Sequence, residues 1–115
     1  MKIYVLKSKI HRATVTEANQ DYVGSITLDE DLMKSAGLYQ YEKVHIFDIS
    51  NGNRLETYVI MGEAGSGKVC INGAAAHLVK KGDLVIIVAF CSIDESLADS
   101  FKPTIVHVNK NNEIL

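Results

Sequence analysis

Two arginines stand out among the cations of this chain, Arg12 and Arg54; every other basic side chain apart from histidine is a lysine. Arginine carries a planar fork that grips a carboxylate through two parallel hydrogen bonds, which lysine cannot do. Arg54 comes just after Asn51-Gly52, the strongest short hairpin signal, and so opens a return strand. Strand alternation then puts Arg54 and Tyr58 on one face, a cation and a phenol able to address one ligand. Thr57 falls on the opposite face; a β-bulge, or a site between two subunits, would let both faces contribute. The competing use of Arg54 is a salt bridge to Glu56 or Glu63.

Other candidates are weaker alone. Gly24-Ser25 is a pair that usually marks a turn. No Ser/His/Asp assignment follows, because His11 and His77 are equally available partners. The four histidines fit no metal-ligand spacing. Cys70 and Cys91 sit in apolar surroundings without CxxC spacing and read as buried, reduced thiols. Gly62 to Lys68 matches GxxxxGK, but Val69 stands where a phosphate loop needs Ser or Thr. The apolar Val69-Cys70-Ile71 that follows reads as a strand, not a helix. The loop is therefore expected to be a glycine hairpin.

The elements that must hold these residues are mostly strands. Residues 2–7, 10–17, 25–28, 43–49, 54–61, 69–71 and 104–108 are rich in β-branched residues. Asp29 to Ala36 reads as a short helix, with acids at its start, Leu32, Met33 and Ala36 on one side and Gly37 as C-cap. Gly73-Ala74-Ala75-Ala76 allows a short helix or a close backbone approach. Leu84 to Phe90 is continuously apolar and reads as a strand buried on both faces. From Asn109 onward the chain reads as a polar tail. Many short strands with glycine turns argue for a compact β-barrel, which also closes off sheet edges.

The 115 residues fit one domain, 1–115. Hydrophobic residues at 47% indicate a globular chain, and a net charge of −2 offers no face for nucleic acid. No segment approaches the ~20 apolar residues of a membrane span. The start MKIYVLKSK lacks a signal-peptide apolar region, so the expected compartment is the cytoplasm. A chain this small has little room for a private cleft, so an enzyme site shared between subunits is expected.

Six stretches in order give a more specific reading. They are Lys9-Ile10-His11-Arg12 with Val15-Thr16; Tyr22-Val23-Gly24-Ser25; Asn51-Gly52-Asn53-Arg54 with Thr57-Tyr58; Gly65-Ser66-Gly67; Asn72-Gly73-Ala74-Ala75-Ala76-His77; and Gly82-Asp83-Leu84-Val85-Ile86-Ile87. Together, from about residue 2 to 108, they resemble the pyruvoyl-dependent aspartate decarboxylases, self-processing enzymes that make β-alanine for pantothenate.

The resemblance implies a double-psi β-barrel with short helices, assembled as a homotetramer with sites at subunit interfaces. It implies autocatalytic cleavage between Gly24 and Ser25 into a β chain, 1–24, and an α chain, 25–115. Ser25 would become the pyruvoyl group, with no metal and no PLP. Glycine at 24 would allow a strained backbone that favours the acyl shift. L-Aspartate would form a Schiff base with the pyruvoyl ketone and lose carbon dioxide, with Tyr58 as proton donor. Arg54 and Lys9 would hold substrate carboxylates. Gly73, Ala74 and Ala75 would contact substrate through their backbone. Asn72 would polarise an oxygen at the cleavage site or on the pyruvoyl group. Thr57 would position the Gly24 carbonyl and touch substrate. His11 and Tyr22 would support the site. The alternatives are a non-catalytic barrel binding a small anion and a nucleotide binder using residues 62–68.

Overall fold

The computed structural model describes residues 1–115. Its strands are β1 (Lys2–Thr14), β2 (Glu17–Asn19), β3 (Ser25–Asp29), β4 (Lys43–Asp48), β5 (Arg54–Gly62), β6 (Val69–Asn72), β7 (Leu84–Asp94) and β8 (Thr104–His107). They form one mixed sheet in the order β2-β6-β3-β5-β4-β7-β1-β8. The sheet curls until its two sides meet. Thr16, just past β1, bonds Val69 at the start of β6 in both directions. Its N–H donates to the Val69 carbonyl at 2.8 Å, and the Val69 N–H donates to its hydroxyl at 3.0 Å.

Alternation explains the core. Ile26, Leu28, Val59, Val69 and Ile71 are all fully buried, and they meet in register across β3, β5 and β6. Val44, Ile46 and Ile87 extend this layer through β4 and β7. The helix α1 (Glu30–Ala36) closes one end with Leu32, Met33 and Ala36. The Asp29 carboxylate caps its first turn, and Gly37, at φ 69°, ends it in the left-handed conformation that glycine adopts without penalty.

Four local expectations are corrected. Residues 2–14 form one strand, because irregularities between Leu6 and Ser8 and between Ile10 and Ala13 absorb extra residues without ending it. Arg12 accordingly sits at φ 67°. β7 is only partly buried on its second face: Val85, Ile87 and Ala89 point inward, while on the other face Val88 is buried and Phe90 is exposed. Cys91 is only half-buried. The stretch after Asn109 is no loose tail. Asn112 is buried, and its side chain bonds the Thr14 N–H and the carbonyls of Thr14 and Gly67, each at 2.8 Å.

Candidate active site

β3 lies between β5 and β6, and its first residue is Ser25. In the antiparallel β3–β6 pair, Ser25 faces Asn72 and Thr27 faces Cys70. Period-two alternation therefore gathers Ser25, Thr27, Cys70 and Asn72 on one sheet face, the face away from Ile26 and Ile71. Asn72 Nδ2 donates to Ser25 Oγ at 3.2 Å and to Thr27 Oγ1 at 3.1 Å. Cys70 Sγ donates to Asn72 Oδ1 at 3.2 Å. Ser25 and Asn72 are 5% and 6% exposed, so these bonds form away from bulk water, where each counts for more.

Gly73 follows Asn72 directly and turns at φ 70°. A Cβ there would lie 2.5 Å from Gly24 Cα and 2.8 Å from Gly24 N, so the segment before Ser25 rests on the bare Gly73 backbone. The conformational demand for glycine is thus at 73. Gly24 is outside the left-handed region, and a Cβ on it would make ordinary contact, 3.9 Å from the Asn72 carbonyl. The expected backbone strain at Gly24 is not found. Ala74 and Ala75 continue into a 3-10 helix, Gly73–His77, exposed and half-buried respectively. This short helix and the close approach of residue 73 occur together. Tyr22, on the turn before Gly24-Ser25, is exposed.

On the other side of β3, the parallel pairing sets Ile26 beside Val59. The same offset carried back one residue brings Tyr58 level with Ser25, and Thr57 is the next residue back on β5. Tyr58 is at the surface, 36% exposed, and Thr57 is half-buried opposite Val44. β5 pairs with β4 without a register shift, so no bulge brings Thr57 to the face of Arg54 and Tyr58.

Arg54 makes no salt bridge. Glu56 is taken by Lys43 at 3.1 Å and His45 at 3.1 Å, and chiefly Lys43 holds its carboxyl below the usual range. The Arg54 guanidinium instead lies 3.8 Å from the Phe47 ring centroid, leaving its fork available to a carboxylate. It is four residues from Tyr58, about 13 Å along an extended strand. Lys9 lies three strands from β5, on β1 between Val88 and Ile105. Near it, His11 packs edge-on against His107 with centroids 5.7 Å apart. Burial, then Lys9, His107 and Arg12, push the His11 pKa down. One chain thus gathers Gly24, Ser25, Thr57, Tyr58, Asn72 and Gly73. It leaves Arg54 at the far end of β5 and Lys9 with His11 across the sheet.

The GxxxxGK loop has an internal occupant. The Asp29 carboxylate accepts from the N–H groups of Gly65 at 3.1 Å and Gly67 at 2.8 Å. The loop's anion-binding amides are therefore filled by the protein itself, and the nucleotide reading loses its basis. Thr27 and Cys70 are the residues that sequence reasoning missed. The spacing of Ser25 to Thr27 and of Cys70 to Asn72 on two strands is the signal that finds them.

Three comparisons bear on this arrangement. Residues 1–115 match the family model described as aspartate decarboxylase. The chain is 58% identical to an aspartate 1-decarboxylase of Acetivibrio thermocellus over 115 residues, covering 100% of this chain and 91% of the relative. It is 60% identical to one from Caldicellulosiruptor bescii, with 100% and 90% covered. It is 61% identical to one from Clostridium botulinum, with 97% and 89% covered. Among solved structures, the computationally designed msDPBB_sym2 protein matches with a TM-score of 0.52 and 26% identity, over 76% of this chain and 96% of that one. The fold is accordingly a double-psi β-barrel.

Proposed function

The chain belongs to the aspartate decarboxylase family, and from that premise we propose that it is the precursor of an enzyme converting L-aspartate to β-alanine and carbon dioxide for pantothenate synthesis. The observation that carries the reading is the buried Ser25, its Oγ held by Asn72 and the preceding Gly24 seated on Gly73.

Maturation uses the chain's own atoms. Ser25 Oγ attacks the Gly24 carbonyl carbon, and the acyl group moves from the Ser25 nitrogen to the oxygen. Loss of the Ser25 Cα proton then expels the Gly24 carboxylate, which carries away the serine oxygen and leaves dehydroalanine. Water hydrolyses its imine tautomer, releasing ammonia and leaving a pyruvoyl group at the head of the 25–115 chain. Asn72 Nδ2 stabilises the charge that develops on Oγ as it departs with the Gly24 carboxylate. Thr57 positions the Gly24 carbonyl.

Ser25, converted to a pyruvoyl group, would supply a ketone for the substrate amine and an amide carbonyl as electron sink for decarboxylation. Around it, Tyr58 returns a proton to the substrate carbon. Gly73, Ala74 and Ala75 let substrate approach the main chain closely. Arg54 and Lys9 each hold a carboxylate, with His11 and Tyr22 in support. Because one chain keeps Lys9 and Arg54 away from Ser25, a homotetramer completes the site at its interfaces. An exposed patch supports such packing: Tyr4 and Phe90, with Lys43 and His45, line a cavity of about 440 Å³ on the sheet's outer face. No helix is long and apolar enough to cross a membrane, and the cytoplasm is the proposed location.

The test is to incubate the purified chain with L-aspartate and measure β-alanine and carbon dioxide in equal amounts. Ser25→Ala should yield neither. Product formation by that variant would remove Ser25 from the chemistry.

A further inference from the structure

We propose that Cys70 is a positioning residue for self-processing, acting through Asn72; this rests on the reading that the chain cleaves itself at Ser25. An asparagine amide can present either end to a neighbour. Here the Cys70 thiol occupies one end, donating to Oδ1 at 3.2 Å, and thereby turns Nδ2 toward Ser25 Oγ and Thr27 Oγ1.

The two hydroxyls cannot set this orientation, because Ser and Thr oxygens donate and accept equally well. A thiol is a weak donor and, toward an N–H, a poor acceptor. It favours a carbonyl oxygen opposite it and disfavours an NH₂. Flipped, Asn72 would offer Oδ1 to Ser25 and oppose the negative charge that grows on Oγ as the Gly24 carboxylate is expelled. In the observed orientation it offers an N–H to that oxygen.

Cys70 is kept in the donating form. It is 4% exposed, and burial first, then the carboxylate of Glu17 across the β2–β6 pair, push its pKa up. A protonated, buried thiol is a poor nucleophile. It contributes to the site as a hydrogen-bond donor of nearly the volume of a small apolar side chain.

The test measures the half-time for conversion of freshly purified intact chain to two fragments, by denaturing mass spectrometry. It is run on wild type, Cys70→Ser and Cys70→Val, each confirmed folded by thermal unfolding. Serine keeps a donor at the same place but accepts as readily, so Cys70→Ser should cleave more slowly than wild type and faster than Cys70→Val. Valine fills the space without a donor, so Cys70→Val should cleave at least tenfold more slowly. Equal rates for Val and wild type, or a folded Ser variant as slow as Val, would overturn the role. If Val does not fold, the Ser variant decides alone: a slowing of less than tenfold supports the role, and wild-type speed or a greater loss overturns it. Absence of fragments from wild type itself would instead sink the self-processing reading and this role with it.

Discussion

Asn72 faces Ser25 across the antiparallel β3–β6 pair, with its Nδ2 3.2 Å from Ser25 Oγ. Both side chains are buried, so nothing in bulk solvent replaces that bond if it is removed. Asn72→Ala should slow cleavage by about tenfold to a hundredfold, the range expected for a buried hydrogen bond made in a transition state. A time course of fragment formation checks this. Cleavage at the wild-type rate would mean that Asn72 does not assist the cleavage.

Gly73 holds the segment that precedes Ser25. Any side chain there meets both an unfavourable φ, worth about 1–3 kcal/mol, and the Gly24 backbone. Gly73→Ala should lower the thermal midpoint and abolish cleavage together. Gly24→Ala meets only ordinary contacts at its Cβ and should leave the midpoint near wild type. Equal midpoints for Gly73→Ala and wild type would contradict the close packing of residues 73 and 24.

Tyr58 and Arg54 share a strand face but have separable roles. Tyr58→Phe should still cleave, while turnover of aspartate falls by about a hundredfold or more, as expected for loss of a general acid. Arg54→Lys should cleave normally and bind aspartate more weakly, because one ammonium cannot reproduce the bidentate fork. Steady-state kinetics separates the two, with the first change in kcat and the second chiefly in KM.

A carboxylate pair at the far end of the barrel should govern stability against pH. Asp48 Oδ1 accepts from the Ser50 N–H, while its buried Oδ2 has no donor and lies against Asp83. Burial, then the neighbouring Asp83 carboxyl, raises the Asp48 pKa to about 6. A raised carboxyl pKa means that the folded state takes up the proton more readily than the unfolded chain. The resulting stabilisation is complete below the unfolded value, near 4, and is lost as pH rises through about 6. Asp48→Asn keeps the acceptor and adds a donor toward Asp83. It should melt above wild type at pH 7 to 8, with the gap closing as pH falls from 6 to 4. A gap that stays constant over that range would contradict the raised Asp48 pKa.

Much of this was legible in the chain. Asn51-Gly52 marks the turn into β5, which extends to Gly62. Asp29 and Gly37 bracket the helix because one supplies a capping oxygen and the other a left-handed residue. The ordered stretches around Gly24-Ser25, Arg54 to Tyr58 and Asn72 to Ala76 carried the family. What stayed hidden depends on long-range pairing. β1 looked interrupted because its irregularities place Lys7 and Arg12 off the simple alternation. The last residues looked disposable because one buried asparagine, Asn112, makes the tertiary bonds that hold them. The glycine loop looked like a phosphate site because its partner, Asp29, is more than thirty residues away in sequence. Cys70 and Thr27 looked inert because strand register, not local sequence, brings them to Asn72.

The central claim is that this chain cuts itself at one bond. Denaturing intact-mass measurement of the purified protein, before and after prolonged incubation, tests it most directly. The prediction is two fragments, residues 1–24 and 25–115, the larger beginning with a carbonyl-reactive group in place of an amine, and a single intact chain for Ser25→Ala. One unbroken wild-type chain that ends the incubation at its full mass would contradict it.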